Sequence, residues 1–340
     1  MLRILAPLLF SAIALGHAGP ARAQSCGDTV TSDITLTSDL HCTTGWAALY
    51  VPVGGVTIDL NGHTLSGSRA LVGINLYEAS NVRIINGSIR GFRGGVTGLR
   101  SHKLRLQGVV LEDLGLGVSL NYSYGAQIID NDFRKTSGTA ISFGVPLGAG
   151  HGAAGSHYVA YNRIIGSDTG IELCGYDNSN AIIVGNELSK IANYGIHASE
   201  GSGSHQIKDN LIRGIENTGI VLRASRANVI TGNVLQEGRL GIAMTPQFVG
   251  QCGTGPMTSP WIRDNRIESN DIRKLEGGVT LGMGTTRKAM VFKNTIRGNR
   301  IQDDDTGLYF QEDAHGNDAR GNDFTGTATP IVDLGAHNRY

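Results

Sequence analysis

One frame, Asn followed by Gly, recurs about every two dozen residues and constrains this chain more than any other feature. The segment Asn162-Arg-Ile-Ile-Gly-Ser-Asp-Thr-Gly170-Ile-Glu-Leu has counterparts in Asn186…Gly195-Ile-His-Ala, Asn210…Gly219-Ile-Val-Leu and Asn233…Gly241-Ile-Ala-Met. The step from one of these asparagines to the next is nearly constant, and the frame returns at Asn270, Asn299 and Asn322. Weaker copies stand at Asn61, Asn86, Gln107 and Asn131. Each unit holds three short apolar-alternating runs: one before the Asn, one after it and one after the Gly. Three strands in so short a unit leave no room for a helix, and a unit this small buries its apolar faces only by stacking on copies of itself. The expected result is an all-β solenoid, a coil of three parallel sheets around an aliphatic core, with turns about 4.8 Å apart. The Asn is expected at a sheet corner, where it tolerates the left-handed region and can hydrogen-bond along the stack. Counting frames gives ten to eleven rungs.

Leucine-rich repeats have a similar length but a Leu-x-x-Leu-x-Leu frame that is missing here, and helical repeats need a 3.6-residue period. Glycine, at 49 of 340 residues, and proline, at 8, fit many tight turns rather than a proline-rich linker. With one continuous core, the frame implies one domain over residues 24–340, in which residues 24–50 are expected to cap the open sheet edges.

The N-terminal segment, residues 1–23, reads as an export signal. Arg3 precedes an apolar run from Leu5 to Leu15, and Ala21-Arg22-Ala23 is a small-x-small cleavage site. The run is too short to span a bilayer comfortably, so no membrane association is expected after cleavage. Export implies a secreted or periplasmic protein. Without Arg3 and Arg22 the net charge falls from 0 to about −2, which argues against a nucleic-acid binder. In an exported chain four cysteines imply disulfides. Cys26 and Cys42 flank one short segment and are expected to staple the N-terminal end, while Cys174 and Cys252 are either a second pair or two free, buried thiols.

The run Val56-Thr-Ile-Asp-Leu followed by Asn61-Gly-His-Thr-Leu-Ser-Gly67, together with Cys26-Gly27…Leu36-Thr-Ser-Asp-Leu-His-Cys42, resembles the right-handed parallel β-helix repeat family. The resemblance spans nearly the whole mature chain and implies a right-handed coil. That superfamily holds carbohydrate-binding proteins, sugar hydrolases, polysaccharide lyases and uronate epimerases, so the resemblance speaks to fold more than to chemistry. Periplasmic accessory proteins for copper enzymes share the repeat type, but no Met/His/Cys cluster suited to copper is visible in the sequence.

In the strand after the frame Gly, side chains alternate. Ile171, Leu173, Ile196, Ala198, Ile220 and Leu222 are expected to face the core. The intervening residues are expected to face outward, which puts Glu172 and His197 on neighbouring rungs in register, with Arg223 one rung on and two residues along. Long inserts at 145–157 and 246–260 follow this same strand and are expected to rim a groove around the patch. A Cys174–Cys252 bridge would tie the second insert over it.

A carboxylate, an imidazole and a guanidinium together suit β-elimination on an acidic polysaccharide. Arg223 would neutralise the uronate carboxylate, His197 would take the C5 proton, and Glu172 would orient the ring. Hydrolysis needs two carboxyl groups about 5–9.5 Å apart, for which Asp177 and Glu200 in the adjoining turns are candidates. The same two residues are candidate calcium ligands, calcium being the one cofactor the sequence suggests. Tyr77, Tyr122, Tyr124 and Tyr309 are candidate sugar-stacking groups, and Gln311 a candidate polar contact. Asp313-Ala-His315-Gly-Asn-Asp318 resembles the Asp/His motif of uronate epimerases but lacks its proline. The paired-Asp and Arg-x-Lys motifs of polygalacturonases and the Arg motifs of classical pectate lyases are absent. The expected function is binding or processing an extended, uronate-containing polysaccharide as a lyase or epimerase. The competing reading is a non-enzymatic exported accessory protein in which Glu172, His197 and Arg223 form only a cross-strand charge network.

Overall fold

The computed structural model describes residues 24–144, 154–175, 178–247, 260–283 and 290–340. Every strand pairing in it is parallel and joins one turn of the coil to the next. A typical turn comprises Gln206–Lys208, Leu211–Ile215 and Thr218–Arg223. In the turn before it, the last two segments merge into one bent strand, Glu187–Ser199. One core column runs from Leu49 through Ile171, Ile196 and Ile220 to Ile331. The coil has about 12 turns, slightly more than the Asn frame counts. The difference is a turn formed by residues 28–42, which carries no frame asparagine.

Residues 28–42 pair strand for strand with residues 47–67 and form the first turn. The Cys26–Cys42 disulfide closes that turn, with Cα atoms 5.5 Å apart. The apolar core is continuous from Val30 to Ala319, and the six residues expected to face inward are all fully buried.

The frame asparagines form a buried ladder, but for a reason that differs in part from the expectation. Asn131, Asn162, Asn186, Asn210, Asn233, Asn270 and Asn299 each donate from Nδ2 to the Oδ1 of the next, at 2.9–3.0 Å, ending on Asn322. None of these asparagines is left-handed. The left-handed residue is the one before, such as Asp130 (φ 57°), Tyr161 (φ 57°) and Asp209 (φ 55°). The turn is therefore made by one residue and the hydrogen-bond ladder by the next. Asn61 (φ 49°) is an exposed turn residue, and Asn86 (φ 59°, exposed) and Gln107 lie within strands, so none of the three belongs to the ladder. A second ladder that the repeat reading missed runs from Asn228 through Asn265, Asn294 and Asn317 to Asn338.

The frame glycine is required by proximity. A Cβ on Gly195 would stand 2.4 Å from the carbonyl oxygen of Gly219, and one on Gly170 would stand 2.5 Å from that of Gly195. Only glycine lets successive backbones approach this closely at the bend.

Candidate functional site

Because Ile171, Ile196 and Ile220 share one inward column, the residues after them share an outward one. Glu172 pairs with His197, as the alternation predicts, and His197 with Val221. His197 Nδ1 lies 3.4 Å from Glu172 Oε1, and the Ser142 hydroxyl donates to Glu172 Oε2 at 3.1 Å. Burial pushes the Glu172 carboxyl up, but the hydrogen bond and charge of His197 and the bond from Ser142 outweigh it and hold the carboxyl below its usual range. An ionised Glu172 accepts, so Nδ1 carries a proton on the side of the carboxylate. His197 is 3% exposed, and its Nε2 has no hydrogen-bond partner among the described residues.

Arg223 does not meet Glu172 or His197 in any direct contact among the described residues. Its guanidinium donates to the Tyr194 hydroxyl and lies 4.8 Å from the centre of that ring. The Tyr194 and His197 ring centres are 5.1 Å apart. Tyr194 thus joins the two halves of the expected triad into one continuous series, Ser142, Glu172, His197, Tyr194 and Arg223. Sequence reasoning missed Tyr194 because it precedes the frame glycine, outside the alternating run. Its Thr169 and Thr218 neighbours in register give no hint of it either.

The other candidates scatter. Glu200 is fully buried and left-handed (φ 58°), and its backbone N–H donates to the Arg223 carbonyl. Tyr122 is 6% exposed, three turns from His197 toward the N-terminus. Tyr309 and Gln311 are half-buried, four turns from His197 in the other direction. Asp177 lies outside the described residues, as do residues 145–153 and 248–259 of the two inserts. Cys174 is buried, 3.2 Å from the Ser199 hydroxyl, and is not a free thiol; Cys252, its expected partner, lies outside the described residues. The outward row itself differs from expectation. Beyond Glu172 the residues His197, Val221 and Ala243 are all nearly inaccessible, so outward in the strand does not mean solvated here.

The family model "Periplasmic copper-binding protein (NosD)" matches residues 55–247 and, overlapping, residues 158–339. The chain belongs to the NosD family. The double match reflects the repeat, since a NosD frame fits the coil in more than one position. No curated protein sequence matches this NosD-family chain. Among solved structures it is similar to a tailspike protein of E. coli bacteriophage HK620 (12% identity, 87% of this chain and 60% of that one, TM-score 0.61). It is similar also to the A-module of a mannuronan C-5 epimerase from Azotobacter vinelandii (14%, 88% and 91%, TM-score 0.50). A third similar structure is an exopolygalacturonase from Thermotoga maritima (10%, 73% and 78%, TM-score 0.52). At these identities the likeness is one of fold, the right-handed parallel β-helix.

The NosD description names copper, and the donor groups test it. His102, His157 and His205 each accept a backbone N–H at Nδ1, from Tyr124, Ala126 and Ala181 respectively. Their neutral rings therefore carry the proton on Nε2 and offer no lone pair to a metal. Burial holds His157 and His205 uncharged, with pKa values lowered to about 3. His197 Nε2 is an available donor, but no three His, Cys, Asp or Glu side chains converge among the described residues. Those residues do not make a copper site. The run Asp303-Asp304-Asp305 does not make a calcium site either, because Asp304 is buried while Asp303 and Asp305 are exposed.

Proposed function

We propose that this exported β-helix protein binds or processes a uronate-containing polysaccharide at the face centred on Glu172 and His197, in the periplasm or outside the cell. One observation carries the reading: an imidazole whose Nδ1 faces an ionised carboxylate and whose Nε2 has no hydrogen-bond partner among the described residues. A carboxylate at Nδ1 orients the ring of a general base and leaves Nε2 for the substrate proton. Arg223, at the far side of Tyr194, is the group suited to a sugar carboxylate. In a β-elimination, the C5 proton would pass to His197 Nε2 and the C4–O4 bond would break. The double bond would form between C4 and C5, and the departing oxygen would take a proton from the imidazolium or the Tyr194 hydroxyl. Epimerisation would use the same base and need a second group, for which the Tyr194 hydroxyl is the candidate, to give a proton to the opposite face of C5. The fold likeness to glycan-active proteins supports this reading without identifying the reaction.

The test is a panel of polyuronates incubated with the mature chain, watched for absorbance of the unsaturated product and for altered C5 configuration by NMR. His197→Ala and Arg223→Ala should each abolish the signal, or glycan binding where there is no turnover. Unchanged handling of every glycan by both variants would sink the reading.

The near-complete burial of His197 and the NosD family membership favour a second reading, a periplasmic accessory protein without turnover. It predicts that no glycan in the panel is bound or altered.

A further inference from the structure

The outward row that ends at Glu172 and His197 begins five turns earlier. Tyr50, Asn75, Thr97, Ser119 and Ser142 precede Glu172 in unbroken register. All five are half-buried and uncharged. From Tyr50 to Glu172 the row spans about 24 Å at the usual rung spacing. Its members also contact one another: Asn75 Nδ2 donates to Thr97 Oγ1 at 2.8 Å, and Ser142 donates to Glu172.

Apolar surface lies along the same tract. Tyr77 and Leu99 stand two residues outside the row, 43% and 36% exposed. Trp46 is 56% exposed and packs against Tyr50, their ring centres 5.2 Å apart. The rim charges largely cancel: Arg100 pairs with Glu78 at 3.4 Å and Arg69 with Asp113 at 2.7 Å, while Arg93 is exposed on the Trp46 edge. Past His197 the row becomes apolar and closed at Val221 and Ala243.

We infer that this row is the binding tract for a linear, mainly neutral glycan lying along the coil axis, whose terminal sugar, a uronate, meets His197 and Arg223. The inference rests on the function proposed for that pair and adds the direction of the chain, its charge and its end. Sugar hydroxyls both donate and accept, and so do the Ser, Thr, Tyr and Asn groups of the floor. The C–H face of a sugar ring packs on an exposed aromatic ring, which Trp46 and Tyr77 supply. A polyuronate along the tract would place a carboxylate on nearly every turn, and the floor from Tyr50 to Ser142 holds no cation to meet it. The first group suited to a carboxylate is Arg223, beyond the neutral row. The burial of Val221 and Ala243 interrupts the row for two turns, and it turns polar again only at Thr280 and Tyr309. Recognition is therefore of a chain end, not of an internal segment.

The test uses linear 4-linked gluco-, galacto- and manno-oligosaccharides of two to eight units, each with C6 of its reducing-end residue as the alcohol or as the carboxylate, so that O4 of the terminal uronate carries the chain. Binding to the mature chain is read by calorimetry. The expected result is affinity that rises with length to about five or six units in at least one series, and a further gain for the carboxylate form that Arg223→Gln removes. Trp46→Ala and Tyr77→Ala should each weaken the six-unit ligand about five-fold and leave the two-unit ligand unchanged. Far-ultraviolet circular dichroism of these exposed-site variants should match the parent. Affinity independent of length, tighter binding of polyuronates than of end-capped neutral chains, or no binding by any probe would overturn the inference. If His197→Ala and Arg223→Ala alter glycan handling while Trp46→Ala and Tyr77→Ala do not, the tract fails and the proposed function stands. If the aromatic variants weaken binding while Arg223→Gln and His197→Ala change nothing, the end-on placement fails together with the function proposed for the pair.

Discussion

Replacing Asn210 by Ala is the sharpest test of how this coil is held together. The side chain is 1% exposed. Its Nδ2 donates to Asn233 Oδ1 at 2.9 Å and to the Ile183 and Lys208 carbonyls at 3.0 Å, and its Oδ1 accepts the Asn186 backbone N–H at 2.9 Å and Asn186 Nδ2 at 3.0 Å. Alanine removes all five bonds. The Asn186 backbone N–H loses the acceptor it has in the ladder, and the Asn186 amide is left with the Val159 and Val184 carbonyls. One buried donor stranded in this way costs about 1–3 kcal/mol, and the weakened neighbours and the small cavity add to it. The expected loss is about 3–4 kcal/mol, a large fraction of ordinary domain stability. Equilibrium urea denaturation followed by circular dichroism would measure it, with the exposed Asn86→Gly as a control expected to change stability by less than about 0.5 kcal/mol. A loss below about 1 kcal/mol at Asn210 would refute the view that the ladder holds the turns in register, and would leave the aliphatic columns to do it alone.

Other outcomes follow from the same reasoning. Asp304 is buried, its pKa raised to about 7, first by burial and further by Asp303 and Asp305, although the Leu275 N–H opposes the shift. The folded state therefore holds a proton that the unfolded chain releases near pH 4. Stability should be highest below pH 4 with respect to this group and fall as pH rises toward 7, by about 2 kcal/mol after allowance for screening. The urea midpoint of Asp304→Asn should lack that slope. Breaking the Cys26–Cys42 link with Cys26→Ser and Cys42→Ser opens a 16-residue separation and should cost about 3 kcal/mol, measured as loss of the first-turn amides' hydrogen-exchange protection. Gly195→Ala places a methyl 2.4 Å from the Gly219 carbonyl oxygen and should destabilise the coil by about 2–4 kcal/mol, a result that thermal melting would contradict if the midpoint held.

The architecture was legible because period and alternation are properties of the chain itself. The short, nearly constant step between frame asparagines could close only as stacked three-strand turns, and alternation after Gly170, Gly195 and Gly219 gave the inward faces directly. The role of Asn was half legible: turn-forming and ladder-forming residues are adjacent, so one frame position stood for both until Asp130 and Asn131 could be seen doing separate work. The Glu172–His197 pairing was readable for the same reason as the core. Tyr194 was not, because it joins the site around the bend rather than along the strand. Nor was the burial of His197, Val221 and Ala243, since alternation says which way a side chain points and not what lies above it.

The two asparagine ladders do not start together. One begins at Asn131 and the other only at Asn228, while the turns before Asn131 have neither and are closed at their far end by a covalent link. The ladders thus cross-link successive turns nowhere before Asn131, once per turn from there, and twice per turn once Asn228 is reached. Glu172 and His197 sit in the stretch with a single ladder, so a lost rung there has no second ladder in the same turn to replace it.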